Sequence, residues 1–151
     1  MEPTLSSAPP EPLSADECLR LLEFRQVGRI ALILNGRLEI LPMTYRLFQG
    51  AVVIRTACDT DLAMAHGQLI AFEVDDIDED ARTGWSVVVH GTAEEIQRTE
   101  ELSDLRVLPL RLWAYGHRER YLRVLPTTLT GRRVSHDHDY NLVGRPDVWY
   151  G

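Results

Sequence analysis

Two short turns divide a β-rich stretch of the chain, and they constrain the fold more than any other feature. Residues 29–56 read RIALILNGRLEILPMTYRLFQGAVVIRT, three apolar runs separated by Asn35-Gly36 and Gln49-Gly50. Asn-Gly between apolar runs is the strongest short-range hairpin signal, because both residues tolerate the positive φ of a type I′ turn. The stretch therefore predicts two hairpins and three consecutive antiparallel strands.

One helix is predicted before these strands and another after them. Ser14 and Glu17 have the spacing of a capping box, and the apolar residues after them recur at near-helical intervals up to Gly28. Asp59 and Gly67 are the expected N-cap and C-cap of a short second helix. A helix is thus expected before the hairpins and another after them.

The remaining elements are mostly strands. A fourth strand is predicted over 69–75, and a fifth begins at Trp85 and bends or bulges at Gly91. A helix around 98–105 then precedes a last strand that starts near Arg120. The connections are too short for repeated βαβ crossovers, so we predict an antiparallel barrel with helices over its open edges.

Chain length and proline content predict a single domain with a peripheral segment at each end. The chain has 151 residues, a common size for one domain. Residues 1–13 contain four prolines and few groups that could join a core, which predicts a mobile tail. We expect the barrel domain over 14–134 and a C-terminal extension over 135–151.

The charge pattern limits the partners of this protein. The chain has 16 basic residues, all of them arginine, against 23 acidic ones, and its net charge of −7 would repel nucleic acid. No apolar run approaches the length of about 20 residues that a membrane-spanning helix needs. The polar start does not resemble a signal peptide, and there are only two cysteines. We expect a soluble cytoplasmic protein that binds no nucleic acid and no membrane.

The segment VIRTACDTDL at 53–62 combines features that suit a phosphate group. It runs from a predicted strand into a predicted helix, whose first turn offers backbone N–H groups and a positive dipole. Arg55 adds a guanidinium that can hold phosphate through two hydrogen bonds. The alternative is that Arg55 pairs with a surface carboxylate and Thr56 only ends a strand.

Five segments together resemble the flavin-binding members of the pyridoxamine-phosphate-oxidase-like superfamily. They are GRIAL at 28–32, LPMTY at 41–45, the segment at 53–62, LIAFEVD at 69–75 and RTGWSVVVHGTA at 82–93. The similarity covers roughly residues 14–134. It implies a mainly β (α+β) fold, a six-stranded antiparallel split β-barrel with short flanking helices, and a homodimer that binds FMN.

The resemblance also implies a set of cofactor-binding residues. Arg55, Thr56 and Thr60 match the family's phosphate-binding segment, which usually reads R-T-x-x-G-T-K-L. The other implied positions lie along or beside the flavin ring: Met43, Thr44, Tyr45, Trp85 and Trp113. For 41–45 the alternative is an ordinary strand with a half-buried Tyr45.

Two residues depart from the family pattern. Asp59 stands where the family usually has Gly, and Asp61 stands where it usually has Lys. A carboxylate about 5 Å from a phosphate charge costs roughly 3 kcal/mol at an effective dielectric of about 20. Asp59 can also cap the helix N–H groups itself. Asp61 is therefore a candidate site residue that opposes FMN.

The resemblance implies the function of an FMN-dependent oxidoreductase that acts on a small molecule. The cofactor would transfer the hydride or electron, and no side-chain acid or base is required, so no catalytic residue is assigned. Within the same class, deazaflavin F420 or haem could replace FMN, since relatives of this barrel use them. The alternative from another class is a non-catalytic dimeric module whose flavin site is closed by the two aspartates.

The homodimer interface is predicted from apolar residues outside the core-forming strands. Residues 108–115 contain many of them, but Pro, Arg and Gly interrupt the stretch. The predicted interface includes the strand from Trp85, the strand from Arg120 and the segment around Trp113. His136 and His138 could both face one side of an extended segment, but a metal needs more ligands, so no metal site is predicted.

Overall fold

A computed structural model of the chain describes residues 10–57, 61–110 and 119–134. The strands are β1 (Glu11–Pro12), β2 (Val27–Leu34), β3 (Arg37–Phe48), β4 (Ala51–Ala57), β5 (Leu69–Asp78), β6 (Thr83–Glu95), β7 (Glu119–Val124) and β8 (Thr128–Val134). The helices are α1 (Ala15–Phe24), α2 (Thr99–Arg106) and a 3-10 helix over Asp61–Ala65. None of the described helices is long and apolar enough to span a membrane.

Both predicted hairpins are present, each with a two-residue turn. Asn35 and Gly36 have φ values of 51° and 75°, and Gln49 and Gly50 have 50° and 76°. Positive φ at both central residues is what a type I′ turn requires. β2, β3 and β4 therefore form the antiparallel meander that the sequence predicts.

Six strands close into an antiparallel barrel, which confirms the predicted fold class. The strands follow one another in the order β6, β5, β2, β3, β4 and β7, and β7 pairs again with β6. The interior is filled by alternate residues of the strands, including Ile70, Phe72 and Val74 of β5. Cys18 and Leu22 of α1 pack into the same core.

β6 changes its partner at Gly91, where the sequence predicts a bend. Its first part pairs with β8, and Ala93–Glu95 pairs with β7. A Cβ atom at Gly91 would lie only 2.2 Å from the carbonyl oxygen of Leu125. Only glycine therefore lets the chain cross β6 closely as it passes from β7 to β8.

The prediction of a single last strand from Arg120 is wrong. The segment forms two strands, β7 and β8, which pair with different parts of β6. Leu125 and Pro126 lie between them, and proline has no N–H to donate to a ladder. The strand therefore stops where its hydrogen bonding is interrupted.

The predicted capping box is present, with the Ser14 N–H donating to Glu17 Oε2 at 2.9 Å and the Glu17 N–H donating to Ser14 Oγ at 3.3 Å. Two predictions for the segments near the helices differ from the structure. β1, however, lies within the predicted tail and pairs with β8. The helix expected between Asp59 and Gly67 is a five-residue 3-10 helix, and Asp59 lies outside the described residues.

A second apolar cluster lies on the outer side of the barrel wall. It consists of Val53, Ile96, Leu105, Leu110 and Tyr121, with α2 covering the outer faces of β4 and β7. Leu110 is only 4% exposed. Part of the apolar stretch assigned to the dimer interface is therefore used within the chain.

Candidate functional site

The alternation of strand residues places the predicted site residues on two faces of the barrel wall. Met43 and Tyr45 of β3 and Trp85 of β6 pack against the barrel core. Thr44 lies between two of these inward-facing residues and therefore belongs to the outer face. On β4, Thr56 is 3% exposed and continues the buried row of Val52 and Ile54, whereas its neighbour Arg55 belongs to the outer face.

Tyr45 is a core residue. Its side chain is 0% exposed, and its ring meets that of Phe72 edge-to-face with centroids 5.1 Å apart. The hydroxyl donates to the carbonyl oxygen of Leu22 in the last turn of α1 at 2.5 Å. Burial raises the pKa of this phenol, so it stays protonated. Tyr45 is more deeply buried than the half-buried alternative predicts, and its hydroxyl already has a partner inside the protein.

Replacing Tyr45 by phenylalanine is expected to lower the free energy of unfolding by about 1–2 kcal/mol. The carbonyl of Leu22 lies at a helix end, where it has no partner within the helix, and the substitution removes its donor. The aromatic contact with Phe72 is kept. Urea denaturation of both proteins measures the difference, and a loss below about 0.5 kcal/mol would show that the bond contributes little.

Thr44 and Arg55 both belong to the outer face, just beyond the end of the β3–β4 pairing. Tyr45 opposite Ile54 is the last pair of that register, and Thr44 and Arg55 are the next residue along each strand. Nη1 of the half-buried Arg55 donates to the carbonyl oxygen of Leu110 at 2.9 Å. This bond fixes the guanidinium between β4 and the chain that follows α2. Among the predicted site residues, Thr44 and Arg55 are therefore the two that share the outer face on the adjacent strands β3 and β4.

Thr56 does not share this face. It lies at the end of β4 opposite Arg120, whose side chain pairs with Glu95 at 3.3 Å. Because Arg55 and Thr56 lie on opposite faces of β4, both side chains could contact the same ligand only around the end of this strand. Thr60 and Trp113 lie outside the described residues, as does the side chain of Asp61 at the start of the 3-10 helix.

A charged cluster that the sequence motifs did not single out lies on the outer face of β2 and β5. Nη1 of Arg29 lies 3.2 Å from a carboxylate oxygen of Glu73 and 3.3 Å from one of Asp75. We call these three residues the Arg29 cluster. The pattern LIAFEVD contains a signal for it, because acids two apart on a strand share one face.

The Arg29 cluster borders a groove of about 170 Å³ between β5, β6 and β8. Ser86, Thr130 and Arg132 line the same groove. Burial, together with the hydrogen bond and negative charge of Asp75, raises the pKa of Glu73 to about 7, although Arg29 opposes the shift. Glu73 is thus able to gain or lose a proton near neutral pH.

Beside this cluster the barrel wall presents large apolar side chains to the outside. Ile33, Leu38, Ile40 and Leu69 are between 56% and 74% exposed. They lie on three neighbouring strands, because β2 pairs with both β3 and β5. We call these four residues the apolar face. A monomeric protein rarely exposes a contiguous patch of this kind unless it contacts a partner.

Comparisons with known proteins agree with this fold. A family model described as pyridoxamine 5'-phosphate oxidase matches residues 14–133. An uncharacterized protein of Mycobacterium tuberculosis is 31% identical over 131 residues, which cover 83% of this chain and 86% of that protein.

Solved structures show the same similarity. The FAD binding protein from Mycobacterium smegmatis has a TM-score of 0.72 and 34% identity, covering 82% of this chain and 99% of that one. A FAD-binding protein from Mesorhizobium loti has a TM-score of 0.69 and 25% identity, covering 83% of this chain and 98% of that one. The chain therefore belongs to the pyridoxamine 5'-phosphate oxidase family, whose split β-barrel fold it shares.

Proposed function

We propose that this protein is a homodimeric flavoprotein that holds a flavin nucleotide at Thr44 and Arg55 and acts as an oxidoreductase on a small molecule. The observation that carries the proposal is the position of Arg55, whose guanidinium is held against the Leu110 carbonyl at 2.9 Å on the outer face. FMN and FAD share the ribityl phosphate that such a group would bind. The family relatives described as FAD-binding support a flavin in general.

The described residues suit such a cofactor. In a chain without lysine, a phosphate needs arginine, hydroxyl or backbone donors, and Arg55 offers a planar fork of N–H groups. Thr44 adds a hydroxyl on the neighbouring strand, and the buried Tyr45 anchors that strand to α1. A bound flavin would supply hydride or electron transfer. The chain's own residues would bind the phosphate and orient the ring.

The proposed dimer forms through the apolar face. Two acidic chains with a net charge of −7 each repel one another, so contact is favoured where charge is compensated. The charges next to the apolar face are compensated in part, since Arg29 bridges two carboxylates. A second copy would bury all four apolar side chains of each protomer. The segment around Trp113, part of the interface predicted from the sequence, lies outside the described residues.

The identity of the cofactor can be read from the purified protein. We expect a yellow protein that absorbs at about 450 nm, as a bound flavin does. Mass spectrometry of the molecule released on denaturation then distinguishes FMN, FAD, deazaflavin F420 and haem. A colourless protein that also fails to bind added FMN or FAD would instead support the non-catalytic module with a closed site, which Asp59 and Asp61 favour.

Replacing Arg55 by glutamine is expected to weaken FMN binding about 10- to 100-fold, because a charge-assisted bond to phosphate contributes roughly 1.5–3 kcal/mol. Riboflavin, which lacks the phosphate, should lose little affinity. Arg37→Gln is the matched control, since the Arg37 side chain is 82% exposed at a hairpin turn. Fluorescence titration gives both affinities. An equal loss for FMN and riboflavin would place the phosphate elsewhere.

A further inference from the structure

We propose that formation of this dimer is coupled to proton uptake by the Arg29 cluster, so that the two protomers associate more tightly as the pH falls through neutrality. This inference rests on the dimer proposed above. It adds the residue that would control assembly and the direction of the control.

The Arg29 cluster directly borders the apolar face. Arg29 is paired with Glu73, and the next residues on the same face, Ala31 and Ala71, are paired with each other. Ala31 is also paired with Ile40 of the apolar face. Arg29 is the diagonal neighbour of Ile40 on this face, so a partner that covers Ile40 reaches the Arg29 cluster at Arg29, whose guanidinium is bound to Glu73.

Glu73 and Asp75 keep part of their contact with water in the single chain. Their side chains are 30% and 27% exposed, although both carboxylates share Nη1 of Arg29. A second copy would remove much of this remaining water. Loss of water disfavours the charged form of a carboxyl group, so covering the cluster favours its protonated form.

The groups that face Glu73 come from four strands. β2 contributes Arg29, and β5 contributes Asp75. On β6, the uncharged Val88 lies opposite Glu73, and His90 is the next residue on the same face. β8 contributes Arg132, which lines the same groove. One guanidinium already serves two carboxylates, so proton uptake by Glu73 relieves the repulsion between them.

The sign of the coupling follows from where the proton binds more tightly. The single chain already holds the pKa of Glu73 at about 7, above the ordinary value. If the dimer raises this pKa further, then at any pH between the pKa of Glu73 in the single chain and its pKa in the dimer, the dimer binds more protons than two separate chains. Its dissociation constant then increases with pH across that window. Within that window, each unit of increase in pH raises the dissociation constant about tenfold for one titrating protomer, or about a hundredfold when both protomers titrate.

The experiment measures the dimer dissociation constant by analytical ultracentrifugation at several values between about pH 6 and about pH 8.5. For the unchanged protein we expect at least a tenfold weakening across this range. Glu73→Gln keeps the shape of the side chain and is permanently neutral. We expect it to dimerise as tightly at high pH as the unchanged protein does at low pH.

Two further variants make the result specific. His90→Gln is the matched control, because histidine is a common cause of pH dependence near neutrality. We expect it to retain the full effect. Asp75→Asn removes the neighbouring negative charge and should move the transition to lower pH.

The outcomes separate this inference from the proposed dimer. A dimer whose dissociation constant is unchanged with pH, or remains pH-dependent in Glu73→Gln, would overturn the coupling and leave the dimer intact. Tighter association at higher pH would also overturn it. Monomers at every pH would refute both the dimer and its coupling.

Discussion

Replacing Gly91 by alanine is expected to lower the free energy of unfolding by about 3 kcal/mol or more. The added Cβ would meet the carbonyl oxygen of Leu125 at 2.2 Å and a methyl carbon of Val124 at 3.0 Å. The first obstacle is backbone, so it cannot turn away as a flexible side chain could. Either β6 or the segment that crosses it must shift, and the hydrogen bonds between β6 and its neighbouring strands would lengthen.

Gly36→Ala is the matched control for this prediction. Gly36 has a φ of +75°, and a Cβ added there would meet no heavy atom of the described residues within 4 Å. Alanine there costs only the strain of positive φ, about 1 kcal/mol. Urea unfolding followed by circular dichroism measures both variants. If Gly91→Ala loses no more stability than Gly36→Ala, the close approach of Leu125 does not constrain β6.

Replacing Asp61 by lysine is expected to tighten FMN binding about a hundredfold or more. The family segment carries lysine at this position, and here an aspartate begins the 3-10 helix. A carboxylate about 5 Å from phosphate costs roughly 3 kcal/mol at an effective dielectric of about 20, and lysine turns this repulsion into attraction. The gain should shrink as salt rises, because ions screen exposed charges.

Asp59→Gly should help less than Asp61→Lys, since it removes a charge but also the helix cap that the sequence predicts, and such a cap contributes about 1 kcal/mol. FMN titration of both variants beside the unchanged protein tests this ranking, with riboflavin as the phosphate-free ligand. If Asp61→Lys leaves FMN affinity unchanged, or raises riboflavin affinity equally, Asp61 does not face a phosphate.

Local signals predicted the elements of this fold well. The turn at Asn35-Gly36 and the capping box at Ser14 act over a few residues, so their physics is visible in the sequence. The split between β7 and β8 also had a local signal in Pro126, although a single strand was predicted there. The opposite faces of Arg55 and Thr56 follow from strand alternation alone.

Features that depend on distant pairing could not be predicted in the same way. The Arg29 cluster requires β2 and β5 to be neighbours, and Arg29 and Glu73 on these strands are 44 residues apart. The depth of Tyr45 depends on α1 covering that end of the barrel. Neither arrangement leaves a pattern within one segment of the chain.

The division of β6 between two partners has a consequence for how the molecule unfolds. β6 pairs with β7 to close the barrel and with β8 to extend the sheet, and β8 in turn holds β1. Neither the barrel nor the extension can open without breaking hydrogen bonds along a strand that the other also uses. We therefore expect the described part of the chain to unfold as a single cooperative unit, in which loss of one ladder weakens the other through their shared strand.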